Sequence, residues 1–174
     1  MNRILTALAA LALTAPAALA HVSLEQPQAA QGATYKAVLQ IGHGCKGEAT
    51  QVLRVTIPEG VIAVKPMPKP GWTLETVTGA YAATYDYYGT PLSEGVKEIV
   101  WTGELSDDRY DEFVFRAKLT DALPEGSTVY FPVVQDCATG SNAWVEIPAE
   151  GQNAHDLNSP AAGLTITGPE HAHH

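Results

Sequence analysis

The sequence predicts an all-β protein folded as a sandwich of antiparallel sheets. Three observations carry that expectation. Apolar and polar residues alternate with a period of two in run after run, Gly and Pro punctuate the runs, and no stretch keeps a helical period. The first run is residues 21–25 (HVSLE), interrupted by Pro27 and Gly32. Residues 35–41 (YKAVLQI) alternate again and stop at the Gly42-His43-Gly44-Cys45 turn, and residues 50–57 (TQVLRVTI) end at the Pro58-Glu59-Gly60 turn. Residues 61–64 are followed by a Pro-rich stretch, 65–72 (KPMPKPGW). Residues 72–78 alternate and Gly79 is read as their end. Four further strands are expected over 96–102, 112–119, 128–135 and 143–147, with a last edge strand over 162–167. Pro132 lies inside TVYFPVVQ, and because proline donates no hydrogen bond it calls for an edge or a bulge there. Helix is limited to one turn at residues 107–111, and residues 149–160 read as a loop. Trp72 and Trp101 are expected in the core.

The chain has 174 residues, 10 basic and 19 acidic. Residues 1–20 have a positive start at Arg3, a short apolar run, a helix-breaking Pro16 and an Ala18-Leu19-Ala20 end. These are the marks of a secretory signal peptide cut between Ala20 and His21. Removal of Arg3 leaves 9 basic against 19 acidic residues, a net charge of −10 with neutral histidines. That balance argues against nucleic acid as a partner and suits cations. The expected organisation is a signal peptide (1–20), one domain (21–165) and a His-rich tail (166–174) carrying His171, His173 and His174. No apolar span follows the domain, so the expected product is soluble and periplasmic or secreted, with no membrane anchor. Cys45 and Cys137 are the two cysteines. In an exported chain they favour one disulfide closing a long loop, worth about 4 kcal/mol in the chain-entropy model; a copper-binding thiol pair is the alternative.

No catalytic motif is present: there is no nucleophile elbow, zincin helix, phosphate loop or dinucleotide fingerprint. Metal chemistry has more support. Cleavage after Ala20 leaves His21 with a free α-amine beside its imidazole, two nitrogens able to close a chelate ring. Signal peptidase must leave some residue first, so His21 alone does not decide the matter. Strand alternation puts His21, Ser23 and Glu25 on one face. Glu25 is a candidate ligand or a solvated carboxylate. His43, between two glycines, is a candidate ligand in an exposed loop. Trp144 and Glu146 share a strand face; Trp144 belongs either beside a metal or in the core. Met67 is the one methionine after residue 20, so thioether clusters that select Cu(I) are missing, and amine, imidazole and carboxylate donors suit Cu(II). Tyr81, Tyr85 and Tyr87 read as a cross-strand aromatic cluster in a hairpin.

The segments HVSLEQPQAAQGATYKAVLQIGHGC, VTIPEGVIAVKPMPKPGWTLE, EIVWTGE, DEFVFRAKL, YFPVVQDC and AWVEIP, in that order, resemble the YcnI-like proteins, the DUF1775 domain, over residues 21–160. The resemblance implies an immunoglobulin-like sandwich that holds a single Cu(II) through a mono-histidine brace, which falls on the amine and imidazole of His21, with Trp144 as the neighbouring tryptophan. It also implies a role in copper homeostasis, with a copper chaperone or cuproprotein as partner. Glu25, Glu146 and Asp136 are the acidic candidates. The Cys45–Cys137 pair and the absence of a following membrane anchor depart from many members. Two other roles stay open: a copper-dependent oxidative enzyme of the brace type, which normally needs a second histidine (His43 or His155), and a structural sandwich that binds no metal.

Overall fold

The computed structural model describes residues 21–169. The elements, in chain order, are β1 (Ser23–Leu24), β2 (Gln28–Ala30), β3 (Thr34–Ile41), β4 (Thr50–Thr56), β5 (Val61–Pro66), β6 (Thr73–Tyr87) and β7 (Thr90–Leu105). They continue with β8 (Asp111–Leu119), β9 (Thr128–Phe131), β10 (Val133–Cys137), β11 (Ser141–Trp144), one 3-10 turn at Ala154–Asp156, and β12 (Ala162–Thr167). Two main sheets, ordered β1-β3-β8-β5 and β11-β10-β4-β7-β6, form the sandwich, and a small β2-β12-β9 sheet closes one side. Their inward faces meet in one core of alternate residues. Leu39, Phe113 and Phe115 come from the first sheet, Leu53, Val55, Ile99 and Trp101 from the second, and all are fully buried. Trp101 meets Phe113 edge to face at 5.5 Å. Truncating either buried phenylalanine to Ala would cost about 3–5 kcal/mol through the cavity left behind. Trp72 is half-buried at the core margin, not inside it, packed on Phe113 at 4.9 Å. It lies so close to Gly103 that no Cβ would fit there.

Further expectations are corrected. Gly79 does not end a strand. It pairs with Gly95 inside a long β6–β7 hairpin whose Tyr88-Gly89 turn has positive φ at both residues, 51° and 83°. This is the turn geometry that matches strand twist in two-residue hairpins. Gly95 is required because a Cβ would strike the Tyr81 hydroxyl. Pro132 does not lie inside one strand: it follows β9, which is an edge strand as the proline called for, and precedes β10, which is not. It is the joint at which the chain leaves the small sheet as β9 and enters the main sheet as β10. Residues 162–167 are not an edge either: β12 is the middle of its sheet, antiparallel to β9 and parallel to β2. The late strand also sits earlier than expected, ending at Trp144.

The hairpin tip is anchored by Glu59 in the turn before β5. Its carboxylate accepts from Tyr85 Oη (2.8 Å), Ala82 N (2.9 Å) and Lys97 Nζ (2.9 Å). Tyr81 and Tyr85 pack edge to face at 5.7 Å, but both lie on β6, so the contact runs along one strand and not across two as expected, and Tyr87 packs instead on Tyr88 at 4.9 Å.

Candidate functional site

Alternation brings the amino-terminal segment into place. Val22 and Leu24 are buried and Ser23 faces out, paired with Gln40 of β3. That pairing sets His21 beside the turn that follows β3, which carries His43. Trp144, at the end of β11 and buried, receives both rings: His21 at 5.5 Å and His43 at 6.3 Å, each edge to face. Trp144 therefore belongs to the core margin and to this cluster at once.

Gln135 holds the tryptophan. It is 1% exposed, and its Oε1 accepts from Trp144 Nε1 (3.3 Å). Its Nε2 donates to His43 O (2.5 Å) and Thr50 Oγ1 (2.6 Å). A buried amide with all these partners fixes a ring in one orientation, because any rotation strands a polar atom away from water. The expected disulfide is present: Cys45 and Cys137 are bonded, 92 residues apart in sequence. This excludes the thiol-pair alternative. The bond ties the His43 loop to β10. Asp107 Oδ1 accepts from Gly44 N (3.0 Å) and Gly47 N (3.3 Å), Asn142 donates to Gly44 O (3.1 Å), and Glu48 accepts from the Thr139 amide and hydroxyl. The Thr139 hydroxyl, then its N–H, holds the Glu48 carboxyl below its usual range.

His21 Nε2 is buried and, among the described residues, has no hydrogen-bond partner. A metal cannot reach a nitrogen with no open surface. Nδ1 is the ring nitrogen that closes a six-membered chelate with the residue's own main-chain nitrogen. Among the described residues no group of three or more His, Cys, Asp or Glu side chains converges as a metal cage. A metal here would have to draw on that main-chain nitrogen.

The other candidates lie as follows. Glu25 is exposed and its charge acts on Tyr35 and Tyr110; four residues of extended chain, about 13 Å, separate it from His21. Glu146 accepts from Ser159 N and pins the 149–160 loop. Asp136 pairs with Arg54 at 3.3 Å, on the face of β10 opposite Gln135. His155 is exposed in the 3-10 turn. His43 Nδ1 lies 2.6 Å from Gly44 O. The cut after Ala20 and the tail His171, His173 and His174 lie outside the described residues. Gln135 and Asp107 were not foreseen. The signal for Gln135 was in the pattern, since Val133, Gln135 and Cys137 share the inward face of β10 and a polar residue there must be bonded.

The family model for DUF1775, a domain of unknown function, matches residues 21–166. Among solved structures the chain is similar to an uncharacterized protein from Nocardia farcinica whose crystal structure reveals an immunoglobulin-like fold. The two are 25% identical, the match covers 84% of this chain and 98% of that one, and the TM-score is 0.60. No curated protein matches the chain. With the family model spanning most of its length and an immunoglobulin-like sandwich as its fold, this chain belongs to the DUF1775 family.

Proposed function

We propose that this domain is an exported Cu(II)-binding protein that takes one copper ion per chain at its processed amino terminus and carries it in the periplasm. The observation that supports the reading is the placement of His21 against Trp144 and beside the His43 turn, with Nδ1 as the ring nitrogen that would chelate together with the α-amine. The α-amine supplies the second donor once residue 21 is first, and amine with imidazole suits Cu(II), which heads the divalent affinity order. The family match begins at residue 21, in keeping with cleavage between Ala20 and His21. Copper in this reading is cargo, passed between the domain and a copper chaperone or cuproprotein, and the domain is not an enzyme. No described helix is long and apolar enough to cross a membrane.

The test is Cu(II) titration with electron paramagnetic resonance on three proteins: the chain beginning at His21, the same chain with one Gly in front, and His21→Ala. One tight site with two nitrogen donors is expected in the first, lost in both others. Equal affinity in the Gly-extended protein would refute the chelate. His43 on the same tryptophan supports a second reading, an oxidative enzyme with two imidazoles. Ascorbate-driven peroxide release from the copper-loaded protein, lost in His43→Ala, would favour that reading over the carrier.

A further inference from the structure

An acidic chain gathers three of its few cations in one row. Lys36 on β3, Arg116 on β8 and Lys65 on β5 are directly opposite one another across three adjacent strands, and all three are exposed. The row spans two strand spacings, about 10 Å. Like charges set opposite each other cost stability and are normally interleaved with carboxylates. Yet none of the three takes part in an ion pair among the described residues, although Lys69, Lys97 and Arg54 each do. Protection of a sheet edge accounts for Lys65 and its following prolines on β5. It does not account for Lys36 and Arg116, which lie on the inner strands of that sheet.

The row rims a groove of about 420 Å³. Its floor includes Pro66, Met67, Pro68 and Val114, and Met67 is half exposed. An apolar floor with a few convergent charges is the usual make-up of a small-ligand site, and the volume falls in the usual range. Large polyanions fit poorly, because a body of net charge −10 after residue 20 repels them beyond the patch. A small ligand sees only the local charge, since salt screens the rest beyond about 8 Å.

We infer that this groove binds a single-chain amphipathic anion, with a carboxylate head on the Lys36–Arg116–Lys65 row and an apolar tail along Pro66, Met67 and Val114. The inference is independent of the copper reading: no residue of the row or groove touches His21 or Trp144 in the contacts described above.

The probe is decanoate, titrated calorimetrically into the purified protein, with acetate (head without tail) and octyl glucoside (tail without charge) as controls. Decanoate is expected to bind at one site, with affinity falling as salt is raised, and both controls to bind at least about tenfold more weakly. Lys36→Gln with Arg116→Gln is expected to weaken decanoate about tenfold without lowering the thermal unfolding temperature, since both side chains are exposed and their mutual repulsion is removed. Met67→Ser gives an independent arm and should weaken decanoate without altering its salt dependence. Equal binding of acetate, or undiminished binding by the double variant, would overturn the inference. Sedimentation with phosphatidylglycerol vesicles in the absence of decanoate binding would also overturn it and reassign the face to a lipid surface.

Discussion

The two edges of the five-stranded sheet, β11 and β6, carry two aromatic clusters built on different principles. At β11, His21, His43 and Trp144 are held by a covalent bond and a buried amide, Cys45–Cys137 and Gln135. At β6, Tyr85, against which Tyr81 packs, is held by one half-exposed carboxylate, Glu59, and its partner Lys97. The hairpin edge satisfies Tyr85 with an acceptor that water can replace, while Tyr81 Oη, like His21 Nε2, is buried with no partner among the described residues. What sets the other edge apart is its clamp, a disulfide and a buried amide that water cannot replace. A rigid clamp suits a ligand site, whereas a solvent-exchangeable one is what a structural hairpin tolerates.

The contrast breaks most visibly at the disulfide. Replacing Cys45 and Cys137 with Ser should cost about 4 kcal/mol, read by urea unfolding. It should shift Trp144 emission while leaving the hairpin tyrosine resonances in place. Loosening of both edges together would show that they are one cooperative unit and not two. Gln135→Leu comes next, at about 2 kcal/mol, because Trp144 Nε1, His43 O and Thr50 Oγ1 all lose a partner in a dry site. Nuclear magnetic resonance should show the Trp144 ring released while the Tyr81–Tyr85 contact persists.

Protons sharpen the same comparison. Burial, helped by the Glu25 charge, raises Tyr35 well above the ordinary tyrosine value of 10.0, and its hydroxyl donates to Gln26 O at 2.7 Å. A raised folded value means full stability below pH about 10 and loss as pH climbs beyond it. Alkaline unfolding should therefore start in the amino-terminal segment, and Tyr35→Phe should flatten that limb of a thermal-melt profile against pH. The smallest effect belongs to Glu59. Desolvation pushes its carboxyl up, but the hydrogen bonds from Lys97, Tyr85 and Ala82 with the Lys97 charge outweigh it and leave the value below 4.5. Its contribution is present above pH about 4.5 and lost as pH falls through the lowered value. Glu59→Gln should cost about 0.5 kcal/mol near neutrality and remove that part of the acid limb. Acid also releases Thr139 from Glu48, yet the disulfide keeps that edge closed. Tyrosine side-chain resonances followed down in pH would check whether the hairpin moves first.

Most strand cores were readable because period-two alternation is a direct consequence of one face being buried: Ala37, Leu39 and Ile41 announce β3 without help. The β6–β7 extension was hidden because Gly79 and Gly95 look like breaks one at a time. Only when they are paired does their smallness become room for Tyr81. Tyr88-Gly89 lacks the Asn or Asp that usually marks such a turn. At the site, His21, His43 and Trp144 were each visible as candidates, but their meeting on one indole was not. It depends on the β1–β3 register and on Gln135, a residue whose side chain says nothing until its face is known.

The pairing of β2 with β12 has a consequence for how the chain matures. Gln28 is joined to Thr165, and Leu164 and Ile166 fill the interior from the middle of their sheet. The interior cannot close until residue 167 has emerged, whether from a ribosome or from a translocation channel. Contacts this far apart in sequence also make folding slow. That topology suits the export proposed above, because it postpones the native state until the whole domain has emerged.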